Sequence, residues 1–193
     1  MPPRVLTLPT RAGRSAALRN GILYPLDKHY ARLGVAPPVA RRTSASRIPS
    51  PYHGLLVHEN EMTQTLERHV GGPVGIRVMS IVAAGPWYSR RVLMVEELSA
   101  RPVAMGAVRI RLDAFSARIR ARILRQQAPL GRILREAGVQ YVSRPTAFFE
   151  VTPNAEMMGV FGMPEARTLY GRQTQLMLGD AKVGDLVEIL PLV

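Results

Sequence analysis

Chemistry in this chain depends on a few charged side chains placed among apolar ones. The closing run Asp185–Pro191 reads as a strand, and side chains in a strand alternate between two faces. Leu186, Glu188 and Leu190 therefore share one face, and Val187 and Ile189 share the other. A carboxylate between two leucines is costly to bury unless something pairs with it, and burial favours its neutral form. Glu188 is thus a candidate general acid. A glutamate on an edge strand facing water is the alternative that this spacing leaves open. Arg90 and Arg91 are consecutive within a second apolar run, so they point to opposite faces, one with Tyr88 and Val92 and the other with Ser89 and Leu93. A buried guanidinium cannot shed its charge, so it needs an anion. That anion is either a ligand or an internal carboxylate, Glu188 or Glu150.

Other chemistries find little support. There is no cysteine, which removes disulfides, thiolate nucleophiles and zinc–thiolate sites. His29, His53, His58 and His69 fall in no HExxH or comparable ligand spacing. His58 beside Glu59 and Glu61 is a weak hint of a metal site, better read as surface polarity. GxGxxG, GxxxxGK[ST] and GxSxG are all missing, so neither a nucleotide cradle nor a nucleophile elbow is indicated. No metal and no cofactor is expected.

The elements that must hold these residues follow from hydrophobic spacing. The runs at 74–81, 87–96, 103–112 and 140–151 read as strands, and 169–190 reads as a hairpin around a slightly long Gly/Asp-rich turn. Helical spacing appears at 59–70, ending at Gly71-Gly72-Pro73, and at 113–125, with Leu112, Phe115, Ile119 and Ile123 on one side. Pro129 and Gly138 bracket another short helix. Strands that neighbour each other in sequence point to an α+β fold, an antiparallel sheet with helices packed on it.

Charge divides the chain. Lys and Arg number 26 against 14 Asp and Glu, for a net charge of +12. Residues 1–50 hold nine of those cations against one acid, Asp27, together with seven prolines. They read as a basic, largely irregular extension with one short helix near Asp27–Leu33. Residues 51–193 hold seventeen cations against thirteen acids and read as the folded domain. The Arg-rich 113–125 helix has no interleaved aromatic platform, so nucleic acid is not the expected partner. No apolar run approaches the roughly 20 residues that span a bilayer, and no secretory leader is evident. A cytoplasmic monomer is expected.

Five stretches in order and register carry a family resemblance: LLVHENEMT at 55–63, SRRVLM at 89–94, PLGRIL at 129–134, LYGR at 169–172 and LVEILP at 186–191. Over residues 52–192 the chain resembles chorismate lyase (chorismate pyruvate-lyase). The resemblance implies a compact antiparallel sheet with helices on it and a buried ligand pocket. It also implies cofactor-free elimination of pyruvate from chorismate to give 4-hydroxybenzoate, a precursor in ubiquinone biosynthesis. Arg90 then falls at the carboxylate-binding arginine and Glu188 at the catalytic glutamate. Met62 and Leu130 fall at two main-chain contacts to the bound acid, and Gly106 at a glycine near the pocket. The chain departs from the family at Arg91, where an acid often follows the arginine, and at Ala107, where a basic residue can occur. Fixed donors and one acid suit a reaction driven by aromatisation, in which the protein orients the dianion and assists a proton. The same fold also serves as the effector-binding domain of some transcription regulators, so a non-catalytic site for an aromatic or carboxylate ligand is the alternative.

Overall fold

A computed structural model describes residues 21–191. Its frame is one seven-stranded antiparallel sheet in the order β1-β5-β6-β7-β4-β3-β2. The strands are β1 (Val39–Thr43), β2 (Val74–Ala84), β3 (Trp87–Glu96), β4 (Pro102–Arg111), β5 (Val142–Thr152), β6 (Leu169–Leu178) and β7 (Ala181–Leu190). Two antiparallel runs, β2-β3-β4 and β5-β6-β7, meet where β4 pairs with β7. That seam is close. A Cβ on Gly106 would lie 2.7 Å from the Val187 carbonyl oxygen, and one on Gly184 would lie 2.8 Å from that of Arg109. Glycine lets the two halves of the sheet touch.

Helices cover both faces. They are α1 (Leu26–Leu33), α2 (Tyr52–Leu56), α3 (Met62–Val70), α4 (Ala117–Arg125), α5 (Leu130–Glu136) and α6 (Ala155–Phe161). On one face, Leu26 and Tyr30 of α1 and Met157 of α6 pack with Leu93, Met105, Phe149, Val187 and Ile189. On the other face, α2 and α3 bring Leu56, Met62 and Leu66 against Met94, Ala104 and Leu190. Beside them α4 and α5 bring Ile123, Ile133 and Leu134 against Tyr88, Val108, Ile110 and Leu176. The α+β expectation holds, with the sheet sandwiched between two helical layers.

Local chemistry explains the helix ends. Ser116 Oγ accepts from the Ile119 amide and starts α4, and Asn154 Oδ1 accepts from the Met157 amide and starts α6. Gly71 closes α3 in the left-handed conformation at φ 73°, as its position after the last apolar turn suggests.

Regular structure is present before residue 50. The expected short helix near Asp27 is α1, but Val39–Thr43 is a strand paired with β5, Val39 to Thr152 and Thr43 to Phe148. An edge strand that packs little of itself needs no apolar period, which is why Arg41 and Arg42 masked it. Residues 1–20 of the expected extension lie outside the described residues. Among those described, no helix is long and apolar enough to cross a membrane.

Candidate functional site: a buried cavity with an unpaired guanidinium

Sheet register decides which side chains meet. Across the face covered by α3 and α5, one row runs Arg90, Val108, Leu186, Thr174. The next row runs Val92, Gly106, Glu188, Arg172. Between these rows and the starts of α3 and α5 lies a cavity of about 80 Å³. A water needs roughly 10–15 Å³ of such space, so the cavity has room for several waters or one compact ring. Arg90, Glu188, Met62, Leu130 and Gly106 all border it. Five positions spread over 126 residues of sequence thus converge on one space.

Arg90 dominates the electrostatics. It is 1% exposed, and its Nη2 donates to the Ala128 carbonyl at 2.9 Å. Nε and Nη1 are buried and make no hydrogen bond of ordinary geometry, with the Tyr88 phenol standing beside the guanidinium. No carboxylate among the described residues pairs with it. Burial presses its pKa down, opposed by the Tyr88 phenol beside it. An arginine still keeps its charge at any ordinary pH. A desolvated cation beside a cavity has the chemistry to attract an anion. The internal pair that the sequence left open does not form at Arg90.

Arg91 takes the other face, where Glu156 of α6 accepts from its Nη1 and Nη2, each at 2.8 Å. Its guanidinium also lies 5.0 Å from the centre of the Tyr30 ring. Both arginines are buried because helices cover both faces of the sheet.

Glu188 differs from its expected state. β7 is a central strand, so the water-facing alternative fails. Nor is the carboxylate alone among leucines, for Arg172 Nε donates to its Oε2 at 2.7 Å. Arg172 is 1% exposed and anchors widely: its Nη1 donates to the carbonyls of Leu56 at 3.1 Å and His58 at 2.8 Å. His58 Nε2 donates to the Leu55 carbonyl, which leaves Nδ1 free to accept from Arg172 Nη1 at 3.2 Å. Burial lowers the His58 pKa, and the Arg172 charge adds to that. His58 serves this network. Among the described residues no group of three His, Asp or Glu side chains is placed to hold a metal ion.

Met62 and Leu130 are the first residues of α3 and α5, so their amides are among the N–H groups that a helix leaves without internal partners. Glu61 occupies the cap position of α3 and makes no side-chain cap bond. Instead Glu61 accepts from Arg135 Nη1 at 2.6 Å, tying α3 to α5. Two residues at or behind the cavity wall escaped the sequence reading. Arg172, which holds Glu188, was quoted only as part of a motif, and Tyr141, which lines the cavity near Glu61, stood in what read as a strand.

The fold and site together define an α+β domain with a partly enclosed cavity bordered by a buried guanidinium. No protein-family model and no curated protein matches the chain. Among solved structures it is similar to PhnF from Mycobacterium smegmatis, at 12% identity and a TM-score of 0.48 over 69% of this chain and 64% of that one. It is also similar to a ligand-binding domain assigned to a GntR-family transcriptional regulator from Bordetella bronchiseptica, at 14% identity and a TM-score of 0.45 over 61% and 85% of the two chains. A third is gene product SA0254 from Staphylococcus aureus, at 7% identity and a TM-score of 0.49 over 68% and 88%. The chain spans less than two thirds of the length of PhnF.

Proposed function

We propose that this chain binds a small cyclic or aromatic carboxylate in the α3–α5 cavity and does not transform it. The observation that carries this reading is Arg90, a buried guanidinium with two nitrogens that make no hydrogen bond of ordinary geometry, beside a cavity whose other walls are largely apolar. A carboxylate supplies the missing charge and acceptors, and the apolar walls take the ring. Met62 and Leu130 offer backbone donors beside it. Glu188 acts through Arg172 as a structural ion pair that fixes the cavity floor. The setting proposed is the cytoplasm, with the chain as a monomer.

A second reading is supported by the convergence of Arg90, Glu188, Met62 and Leu130 on the same cavity. This is the chorismate pyruvate-lyase reaction, without metal or cofactor. The ether C–O bond breaks, the ring loses a proton as it aromatises to 4-hydroxybenzoate, and the enolpyruvyl group gains one to leave as pyruvate. Glu188 would assist that proton and Arg90 would hold the ring carboxylate. In the ligand-free protein Glu188 is engaged by Arg172, so the role requires it to exchange partners when substrate arrives.

One experiment separates the two readings. The protein is mixed with chorismate, thermal stability is recorded, and pyruvate is followed by a coupled dehydrogenase. Stabilisation without pyruvate supports the binding domain. Pyruvate and 4-hydroxybenzoate in equal amounts, lost in Arg90→Ala and Glu188→Gln, support the lyase. Neither stabilisation nor product refutes both.

A further inference from the structure

The sheet face covered by α1 carries a second recess, on the opposite side from the α3–α5 cavity. Ser89, Arg109 and Asp185 lie opposite one another across β3, β4 and β7 and point away from Arg90 and Glu188. Between the β2–β3–β4 end of the sheet and the start of α1 is an open hollow of about 250 Å³, against about 80 Å³ for the α3–α5 cavity. Pro25, Val82 and Ala84 give it apolar walls, and Lys28, Trp87 and Arg109 border it as well. Gln173 Nε2 donates to the Gly21 carbonyl at 3.2 Å and the Tyr24 carbonyl at 3.1 Å, so the chain entering α1 is tied to β6 and this wall is fixed.

The two cations at this hollow are not balanced by acids. The Arg109 guanidinium lies over the Trp87 ring, 3.6 Å from its centre, and 5.9 Å from the centre of the Tyr24 ring. Register explains the stack, for Arg109 pairs with Ser89 and Trp87 is its diagonal neighbour on the same face. The Tyr24 phenol takes one contact from Arg109. A guanidinium has five N–H donors, and packing on an indole occupies its face while leaving its edges for acceptors. Among the described residues neither Arg109 nor Lys28 belongs to an ion pair. Asp27 and Asp185 are both felt by the Tyr24 phenol, but neither lines the hollow, and Asp185 is held by Lys182 at 2.6 Å. Ser89 lines the hollow too, yet its proton goes to the Val108 carbonyl, so it adds no donor.

We propose that this hollow is a second binding site, for a phosphate monoester, with the phosphoryl group on Arg109 and Lys28 and the organic part against Pro25, Val82 and Ala84. The charge count selects the class. A phosphate monoester carries about −1.5 to −2 near neutral pH and three acceptor oxygens, enough to meet both cations at once. Arg109 supplies a fork of parallel donors and Lys28 a point charge. A carboxylate brings one charge and two oxygens, which Arg109 alone would satisfy. The site is separate from the carboxylate reading of the α3–α5 cavity and stands or falls without it.

Trp87 is the protein's one tryptophan, so its fluorescence reports on this hollow. The test titrates the full chain with phenyl phosphate and with benzoate at constant ionic strength, following that fluorescence. Phenyl phosphate is expected to give a saturable change and to bind more tightly than benzoate. Lys28→Gln changes an exposed position and is expected to weaken phenyl phosphate about two- to five-fold and benzoate by less than about two-fold, so the preference shrinks. Arg109→Gln is expected to weaken phenyl phosphate about ten-fold or more, with its folding checked by an unfolding curve. Lys28→Gln decides alone should Arg109→Gln not fold. The absence of a saturable change with phenyl phosphate overturns the inference. So does an affinity for phenyl phosphate that Lys28→Gln leaves unchanged, and so does benzoate binding as tightly as phenyl phosphate in the wild type.

Discussion

Replacing Arg90 with methionine should make the ligand-free protein more stable while removing its ligand. Methionine fills a similar, elongated volume without charge. In the native chain the guanidinium is 1% exposed, and two of its three nitrogens make no hydrogen bond of ordinary geometry. Each buried unsatisfied donor costs about 1–3 kcal/mol. Against that, the variant loses one hydrogen bond to the half-buried Ala128 and leaves its carbonyl short of a donor, also about 1–3 kcal/mol. The balance is a net gain of about 1–3 kcal/mol, the direction seen when buried charges give way to well-packed apolar groups. For a chain of 193 residues this corresponds to a rise in melting temperature of roughly 2–12 °C. The assay is urea and thermal unfolding of both proteins, without ligand and then with 4-hydroxybenzoate. Wild type should gain stability from the ligand and Arg90→Met should not. If Arg90→Met is destabilised by 1 kcal/mol or more without ligand, the side chain is structural and the reasoning is refuted.

Other perturbations have directions set by the same geometry. Arg172→Met leaves Glu188 buried without its charge partner and should cost about 3–5 kcal/mol in urea unfolding, whereas the double change with Glu188→Leu should recover much of that loss. Gly106→Ala puts a methyl 2.7 Å from the Val187 carbonyl oxygen, which forces β4 from β7 at the cavity floor. A loss of about 1–3 kcal/mol is expected, and weakened binding of 4-hydroxybenzoate would show that the floor has moved. His29 is buried, with Ser80 donating to its Nδ1 and its Nε2 donating to Ser89, whose own hydroxyl donates to the Val108 carbonyl. Burial lowers its pKa from 6.5 to about 4, with Arg91 and Arg32 adding to the effect. The unfolded chain therefore binds more protons between those values, so the contribution is complete above pH 6.5 and is lost as pH falls toward 4. Unfolding free energy should drop by about 2–3 kcal/mol over that range relative to His29→Gln, and parallel curves for the two proteins would contradict the assignment.

The sequence was most legible where one residue type settles a local conformation. Gly71 as a helix stop, Pro129 at a helix start and the apolar runs that became β3 and β4 all match the structure. The convergence of Arg90, Glu188, Met62 and Leu130 was legible only through resemblance, because no periodicity links residues on four separate elements. What was missed follows from one irregularity. Leu178 pairs with Ala181 across the two-residue turn Gly179–Asp180, and continuing that register would set Arg172 opposite Val187. The register shifts by one between Leu176 and Met177, with Val183 as the extra residue, and Arg172 then faces Glu188. A one-residue slip turns every side chain of a strand to the other face, so this bulge changes Glu188 from a lone acid among leucines into half of an ion pair. Burial of both Arg90 and Arg91 was equally hidden, since alternation does not reveal that helices cover the second face of a sheet. The α2 and α6 helices are five and seven residues long, too short for their spacing to stand out.

The most direct measurement is a calorimetric titration of 4-hydroxybenzoate into the wild type and into Arg90→Met, with folding of the variant checked by its unfolding curve. The account predicts one site per chain in the wild type and an affinity lower by about 10–100-fold or more in the variant, the worth of hydrogen bonds to a charged group. Equal affinity in the two proteins would mean that the buried guanidinium does not hold the ligand, and the central claim would fall.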